Sequence, residues 1–239
     1  MIHYGRQDVD QGDIEAVRAV LASDFLTQGP TIECFEKTVA SYCGAKYAVA
    51  VCNATAALHI ACRAAGLKPG DVLWTAPNTF VASANCGLYC GSDVDFVDID
   101  AKTYNMSTQE LEKKLASSTK KPKVLIPVHF SGQSCDMEQI YHLAKEHDIT
   151  IIEDASHAIG AEYKGDRIGS CKHSDMTVFS FHPVKIITTG EGGMVLTNNS
   201  DLYEKLCLYR SHGITRDPQL MSRKDGSWYY EQIDLGYNY

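Results

Sequence analysis

Seven short apolar runs, separated by segments with helical spacing, occupy residues 47–197 of this 239-residue chain. Strands this apolar are typical of sheets whose two faces are both covered, and such sheets are mainly parallel. The intervening segments repeat apolar residues at three- and four-residue intervals, as amphipathic helices do. The alternation predicts an α/β fold with helices on both faces of a mostly parallel sheet. The predicted strands are Tyr47–Val51, Asp71–Thr75, Val94–Val97, Lys123–His129, Ile149–Glu153, Met176–Phe181 and Gly193–Thr197.

The last two predicted strands constrain the sheet further, because only residues 182–192 connect them. A parallel connection needs a crossover of a dozen or more residues, which is usually a helix. We therefore expect at least one antiparallel strand. Helices are predicted at Asp13–Leu21, Ile32–Tyr42, Ala56–Ala65, Thr108–Ala116, Met137–His147 and Leu202–Ser211, with one more after Asn78.

Composition excludes several classes of partner. A net charge of −8, without clusters of Lys and Arg, argues against nucleic acid. No apolar run approaches the length of a membrane span, so no membrane partner is expected. The nine cysteines stand singly in apolar stretches, as Cys52 and Cys207 do, and not in CxxC pairs. Without a signal peptide pattern, we interpret them as reduced core thiols of a cytoplasmic protein, and we expect no metal site.

Residues Asn53–Ala56 form a turn of small side chains between a predicted strand and a predicted helix. Free backbone N–H groups and the helix dipole favour an anion at such a helix N-terminus. The alternative is a plain helix cap made by Asn53 or Thr55. The turn alone therefore gives only a weak indication of a phosphate site.

An acidic pair, Glu153 and Asp154, ends a predicted strand, and His157 follows three residues later. Ligands of parallel sheets collect beyond the carboxyl ends of strands, where Asp154 could pair with a protonated ring nitrogen. Equally, Asp154 could cap the next helix, and His157 could be a hydrogen-bonded core residue. Both interpretations stay open at this point.

Lys185 follows another predicted strand, in an otherwise apolar and Gly/Thr-rich segment. Burial there would lower its pKa and favour nucleophilic chemistry by the amine. A solvated loop lysine is the alternative. Ser180 offers a hydroxyl to a phosphate five residues earlier, and the glycines at 190, 192 and 193 permit close backbone approach. They lack the GxGxxG spacing of a dinucleotide fingerprint and precede a strand instead of a helix.

Phe80, in the segment Pro77–Phe80, stands just beyond a predicted strand. Its ring could stack on a planar ligand, although a single aromatic residue is more often part of the core.

Taken together, these segments resemble the DegT/DnrJ/EryC1/StrS family of sugar aminotransferases, which depend on pyridoxal 5'-phosphate (PLP). The resemblance extends from Tyr4 to the last residue. It implies the large domain of a fold type I transferase, with a mostly parallel seven-stranded sheet and one antiparallel strand. The motifs that carry it are Glu153–His157, Phe179–Lys185, Thr189–Gly193, Arg210–Gly213 and Gly236–Tyr239.

The family also implies a role for each matched residue. Lys185 would hold the cofactor covalently and move the proton at the reacting carbon. Asp154 would hold the pyridine nitrogen, and His157 would lie beside the cofactor. The remaining roles are ring stacking by Phe80, phosphate binding by Ala54, Thr55 and Ser180, phosphate binding in the neighbouring subunit of a homodimer by Asn238, and nucleotide-sugar contacts by Tyr4, Asp24, Phe25, Leu26 and Thr27.

Three segments, Leu26–Pro30, Val128–Met137 and Thr188–Gly190, look most like the family's pseudaminic acid branch. That branch implies amino transfer from glutamate to C4 of a UDP-linked 4-keto-6-deoxy-N-acetylhexosamine. Another nucleotide-linked keto sugar is the alternative acceptor. The related dehydratases carry histidine in place of the lysine, so Lys185 argues against them.

Members of the family normally continue beyond Gly236–Tyr239 into a smaller C-terminal domain. The resemblance therefore implies that residues 1–239 are the PLP-binding large domain and that the small domain is absent from this chain. A non-catalytic PLP-binding fragment is consequently a further alternative.

Overall fold

The structure, a computed structural model, describes residues 5–223 and 225–239, so Tyr4 lies outside the described residues. Seven of its strands form one mixed sheet, and two short hairpins lie apart from it. The sheet strands are β1 (Tyr47–Val51), β2 (Val72–Thr75), β3 (Asp93–Phe96), β4 (Val124–Ile126), β5 (Thr150–Asp154), β8 (Met176–Ser180) and β9 (Gly193–Thr197). The hairpins pair β6 (Glu162–Tyr163) with β7 (Asp166–Arg167) and β10 (Ile214–Thr215) with β11 (Glu231–Gln232).

The strand order of the main sheet is β1-β9-β8-β5-β4-β2-β3. Strand β9 pairs antiparallel with both β1 and β8, and the pairs from β8 to β3 are parallel. The antiparallel strand expected from the short 182–192 connector is therefore β9, which turns back and pairs with β8. In this register Gly193 lies opposite both Val51 and Ser180, at the edge where β1 and β8 end.

Seven α-helices lie within the described ranges, close to the segments predicted. Several begin at the side-chain caps that the sequence offers, such as Asn53, Ser107 and Asn199. Gly44, with φ of 81°, ends the second of them in the left-handed conformation. The helices are α1 (Gln11–Leu21), α2 (Pro30–Cys43), α3 (Ala54–Ala64), α4 (Ala82–Tyr89), α5 (Thr108–Ser117), α6 (Met137–Lys145) and α7 (Ser200–Arg210).

Alternating side chains of the strands bury the two faces of the sheet under different helices. Val124 and Ile126 of β4 join a core with α3, α4 and α7, whereas Leu125 joins a second core with α5 and α6. On the second face, Phe179 of β8 also packs with α2. The predicted three-layer arrangement is confirmed, and it brings the carboxyl ends of the parallel strands to one edge.

The C-terminal segment, residues 236–239, lies against the end of α7. Tyr237 N donates to Tyr209 O at 2.7 Å, and Tyr239 N donates to Arg210 O at 3.1 Å. Gly213 and Gly236 pass so closely that a Cβ on Gly236 would lie 2.0 Å from Gly213 N. Two of the family-like motifs are therefore in direct backbone contact. No helix in the described parts of the chain is long and apolar enough to span a membrane.

Candidate active site

A cleft of about 910 Å³ lies at the carboxyl edge of the sheet. It collects side chains from the ends of β1, β5 and β8 and from the loop that follows β2, which are far apart in the sequence. The sequence-predicted residues that line it are Ala54, Thr55, Phe80, Asp154, His157, Ser180 and Lys185.

The N-terminus of α3 forms one wall of the cleft. Asn53 Oδ1 accepts from Ala56 N at 2.9 Å, so Asn53 is the N-cap. The next two N–H groups, of Ala54 and Thr55, belong to the first helical turn, which has no intrahelical acceptor for them. Ser180, nearly buried at the end of β8, lines the same cleft. The cap and the anion site, which are alternatives in the sequence, coexist here because capping by Asn53 uses only one N–H.

Gly193 permits this turn to approach the sheet. A Cβ at residue 193 would lie 2.3 Å from Asn53 C and 2.5 Å from Ala54 N, both of which are backbone atoms. Such contacts cannot be relieved by rotating a side chain. The glycine is therefore required by close approach of β9 to the start of α3.

Replacing Gly193 with alanine is expected to displace the α3 N-terminus and to weaken PLP binding about tenfold, with a loss of stability of about 1–3 kcal/mol. Fluorescence titration with PLP and thermal unfolding would measure the two effects. Gly12→Ala, in the exposed helix α1, is the matched control. Unchanged PLP affinity in Gly193→Ala would show that the turn does not bind the phosphate.

Asp154 lies at the base of the cleft and is 5% exposed. Its Oδ2 accepts from Ser83 Oγ at 2.5 Å, and its Oδ1 accepts from Ser156 Oγ at 2.7 Å and from Ser156 N at 3.1 Å. Thr79 Oγ1 lies 2.8 Å from Ser83 Oγ and extends the network. These donors fix the carboxylate and stabilise its charge in a buried position. Asp154 is therefore a held anion that faces the cleft and does not cap a helix.

Lys185 and His157 meet above Asp154, with 2.6 Å between Lys185 Nζ and His157 Nε2. Burial lowers the pKa of Lys185 below its usual value, and the carboxylate of Asp154 opposes this shift. The pKa of His157 is also lowered, mainly by burial and secondly by the charge of Lys185, while the charge of Asp154 opposes the shift. A neutral imidazole can accept a hydrogen bond from the amine of Lys185. Lys185 is consequently half-buried and partnered, unlike a solvated loop lysine.

A lowered pKa gives Lys185 more neutral amine at a given pH than an ordinary lysine has. Its labelling by a trace of acetic anhydride should therefore rise with pH through a midpoint below the usual lysine value. Mass spectrometry of the chain without PLP would follow this midpoint. In Asp154→Asn the opposing charge is gone, so the midpoint should fall further. A midpoint at or above the usual value, or an upward shift in Asp154→Asn, would contradict this environment.

Three residues that line the cleft, and Ser83 buried behind its wall, were not among the sequence-predicted set. Ser83, near the start of α4, donates directly to Asp154, and Thr79 contacts Ser83. Ser156 donates to Asp154 from within the Glu153–His157 motif. His129 is 1% exposed, and its Nε2 lies 2.7 Å from Glu153 Oε2. Only Ser156 had a sequence signal, since an aspartate side chain commonly accepts from the backbone N–H two residues later, as Asp154 does from Ser156 N.

Glu153 faces away from the cleft, in contrast to Asp154. Burial alone would raise its pKa, but hydrogen bonds from His129, Ser174 and Thr177 outweigh burial and lower it. Cys135 N donates to His129 Nδ1 at 3.1 Å, so the imidazole proton lies on Nε2, toward Glu153. Of the two adjacent acids, Glu153 is held in a buried hydrogen-bond network and Asp154 faces the cleft.

Asn238 and the Asp24–Thr27 turn do not join this cleft within one chain, and both are exposed outside its lining. Phe80 does line the cleft, with 76% of its surface exposed. The roles predicted for Asn238 and the turn therefore stay predictions, as does that of Tyr4.

The chain is similar in sequence and structure to known sugar aminotransferases. It is 43% identical over 239 residues to the UDP-4-amino-4,6-dideoxy-N-acetyl-beta-L-altrosamine transaminase of Campylobacter jejuni, covering all of this chain and 60% of that protein. GDP-perosamine synthase of Caulobacter vibrioides is 46% identical over 180 residues, which is 75% of this chain and 47% of that protein.

Among solved structures, the chain superimposes on Helicobacter pylori PseC, an aminotransferase of pseudoaminic acid biosynthesis, with a TM-score of 0.90 and 34% identity. The match covers 99% of this chain and 61% of PseC. The chain thus spans about three fifths of the length of the Campylobacter relative and of PseC. Residues 7–239 match the family model described as the DegT/DnrJ/EryC1/StrS aminotransferase family. The chain belongs to this family, whose aminotransferases use PLP.

Proposed function

We propose that this chain binds PLP and performs amino transfer from glutamate to C4 of a UDP-linked 4-keto-6-deoxy-N-acetylhexosamine. The observation that carries the proposal is the 2.6 Å contact between Lys185 Nζ and His157 Nε2, above the buried carboxylate of Asp154. A partly buried, reactive amine and a fixed anion in one large cleft are the two protein groups that PLP chemistry requires.

The residues present fit the cofactor at each of its polar ends. The α3 N-terminus, with the N–H groups of Ala54 and Thr55, suits a phosphate. Gly193 supports this fit, because a side chain there would displace that turn. Asp154 has the charge to hold a protonated pyridine nitrogen, and Phe80 offers an exposed ring face at the same cleft. Lys185 supplies the amine for covalent attachment.

The chain's own part in catalysis is positioning and movement of one proton. PLP, when bound, withdraws electrons from the substrate carbon next to the amino nitrogen. Lys185 would move the proton from that carbon to the cofactor in the glutamate half of the reaction, and a proton from the cofactor to C4 of the acceptor in the second half. His157 orients the amine through their contact and, being neutral, accepts a hydrogen bond from it. Asp154 keeps its negative charge fixed by the donors from Ser83 and Ser156.

The identity of the acceptor is supported by the relatives. The Campylobacter transaminase matches this chain along its whole length, and PseC shares its fold. A GDP-linked keto sugar is the second candidate acceptor, because GDP-perosamine synthase is 46% identical over 180 residues. Steady-state assays with UDP-linked and GDP-linked 4-keto sugars, at equal glutamate, would separate the two.

The proposal also covers the part of the enzyme that this chain forms, its pairing with a second copy, and its cellular compartment. We propose that residues 1–239 are the cofactor-binding part, and that Asn238, exposed outside its own cleft, contributes to the site of a second copy. All nine cysteines are free thiols, which favours the reducing cytoplasm.

The proposed function is tested by the first half of the reaction. Chain loaded with PLP and mixed with glutamate alone should yield about one 2-oxoglutarate per chain and lose its visible PLP absorption band. Adding the UDP-linked keto sugar should then restore the band. PLP binding without 2-oxoglutarate would instead support the alternative of a non-catalytic PLP-binding fragment.

A further inference from the structure

Two exposed aromatic side chains lie together at the rim of the cleft. The ring centroids of Tyr104 and Phe130 are 6.0 Å apart, with 34° between the ring planes. Tyr104 is 54% exposed and Phe130 is 38% exposed, and Phe130 lines the cleft itself. Exposed aromatic rings grouped at a cleft offer an apolar face to a ligand.

Two amide side chains tie the backbone of this aromatic rim, Tyr104 and Phe130, to the wall of the cleft. Asn105 is 3% exposed, and its Oδ1 accepts from Phe130 N at 2.9 Å. Its Nδ2 donates to Gln133 O at 3.1 Å and to Ser134 O at 3.0 Å. Asn78, which lines the cleft, donates from Nδ2 to Tyr104 O at 2.8 Å. The two rings are therefore presented by a fixed scaffold.

The backbone of the aromatic rim is held in a sparsely populated conformation. Tyr104 has φ of 61° and Ser131 has φ of 53°, both in the left-handed region. Side chains other than glycine occupy this region only where the surroundings impose it, and such positions cluster at ligand clamps. The side chain of Asn105 bonds on both sides of Ser131, to Phe130 N and Gln133 O, and Asn78 bonds the carbonyl oxygen of Tyr104.

The rim is adjacent to the reacting amine. A Cβ on Gly132 would lie 2.6 Å from the carbonyl oxygen of His157, so the 130–132 turn packs directly on that residue. The imidazole of His157 in turn contacts Lys185. Phe130, which precedes this turn, therefore lines the part of the cleft next to His157, the residue that contacts Lys185.

We propose that the aromatic rim binds the pyranose ring of the acceptor through the ring's apolar C–H face, and that Asn105 is its positioning residue. The inference rests on the proposed function, since it assigns a part of the same substrate. The hexose, and not the nucleobase, is assigned to the rim because the reacting carbon, C4, belongs to the hexose ring and must reach Lys185. The uridine and diphosphate then lie farther from the amine.

Binding of two stable probes to the PLP-loaded chain tests the assignment. UDP-N-acetylglucosamine contains the hexosamine, and UDP lacks it. In Phe130→Ala, calorimetry should show about tenfold weaker binding of UDP-N-acetylglucosamine and unchanged binding of UDP. Asn105→Asp keeps the acceptor for Phe130 N but loses both donors, so it should show a smaller effect in the same direction. Phe96→Ala, an exposed ring outside the cleft lining, should bind both probes normally.

Equal weakening of both probes in Phe130→Ala, no weakening of either, or no binding of UDP-N-acetylglucosamine by the unaltered chain would overturn the inference. The glutamate half-reaction separates this failure from that of the proposed function. Failure of that half-reaction in the unaltered chain would count against the proposed function itself.

Discussion

Lys185→Ala is expected to lose covalent attachment of PLP and to lower the rate of the glutamate half-reaction by about 10³-fold or more. The reason is that, in the proposed function, one side chain both attaches the cofactor and moves the proton at the reacting carbon. No other lysine lines the cleft within the described residues, so none can take over. Visible absorbance and rapid mixing with glutamate would measure the two losses.

Two controls separate the chemistry of Lys185 from its charge and from folding. Lys185→Arg keeps a positive charge but has no neutral amine near neutral pH, so it should lose as much activity as the alanine variant. Methylamine added to Lys185→Ala should restore part of the rate, since a small base can enter the vacated space. A residual rate within tenfold of the unaltered chain would refute the assigned role.

Asp154→Asn is expected to lower both PLP affinity and the half-reaction rate by about a hundredfold. Its carboxylate is buried at the base of the cleft, and a hydrogen bond to a charged group there contributes about 1.5–3 kcal/mol. Asparagine keeps the shape and can still bond to Ser83 and Ser156, so the fold should be preserved. Titration with PLP and single-turnover kinetics would record the two losses.

Ser83→Ala is the matched control for Asp154→Asn. It removes the 2.5 Å donor to Asp154 Oδ2 and leaves the negative charge in place. We expect an effect of about tenfold or less, because Ser156 still donates twice to Oδ1. An Asp154→Asn variant that is no more impaired than Ser83→Ala would mean that the charge of Asp154 does not act on the cofactor.

Much of the sheet could be predicted from sequence because most of its strands, unlike the exposed edge strand β3, are buried on both faces. The runs at β1 and β9 were predicted with their observed bounds, and the short connector before β9 required the antiparallel turn. The hairpins β6–β7 and β10–β11 were not predicted, since strands of two residues carry no periodicity. Apolar periodicity is therefore informative only where a strand contributes to the core.

The site was predictable where its residues follow strands, and less so elsewhere. Asp154 is the last residue of β5 and Lys185 follows β8, at the edge where the carboxyl ends of parallel strands converge. Ser83 and Asn105 act through contacts with residues 71 and 25 positions away, respectively, and such contacts leave no local pattern. Asn238 could not be placed from one chain, because its predicted partner is a phosphate in a second copy.

The central claim, that Lys185 attaches PLP in this cleft, is tested most directly by trapping the bond. PLP-loaded chain would be reduced with borohydride and digested, and the peptides would be sequenced by mass spectrometry. We predict one phosphopyridoxyl group per chain, located on Lys185 and absent from the Lys185→Ala chain. A group found on exposed lysines such as Lys68, with Lys185 unmodified, would contradict the account.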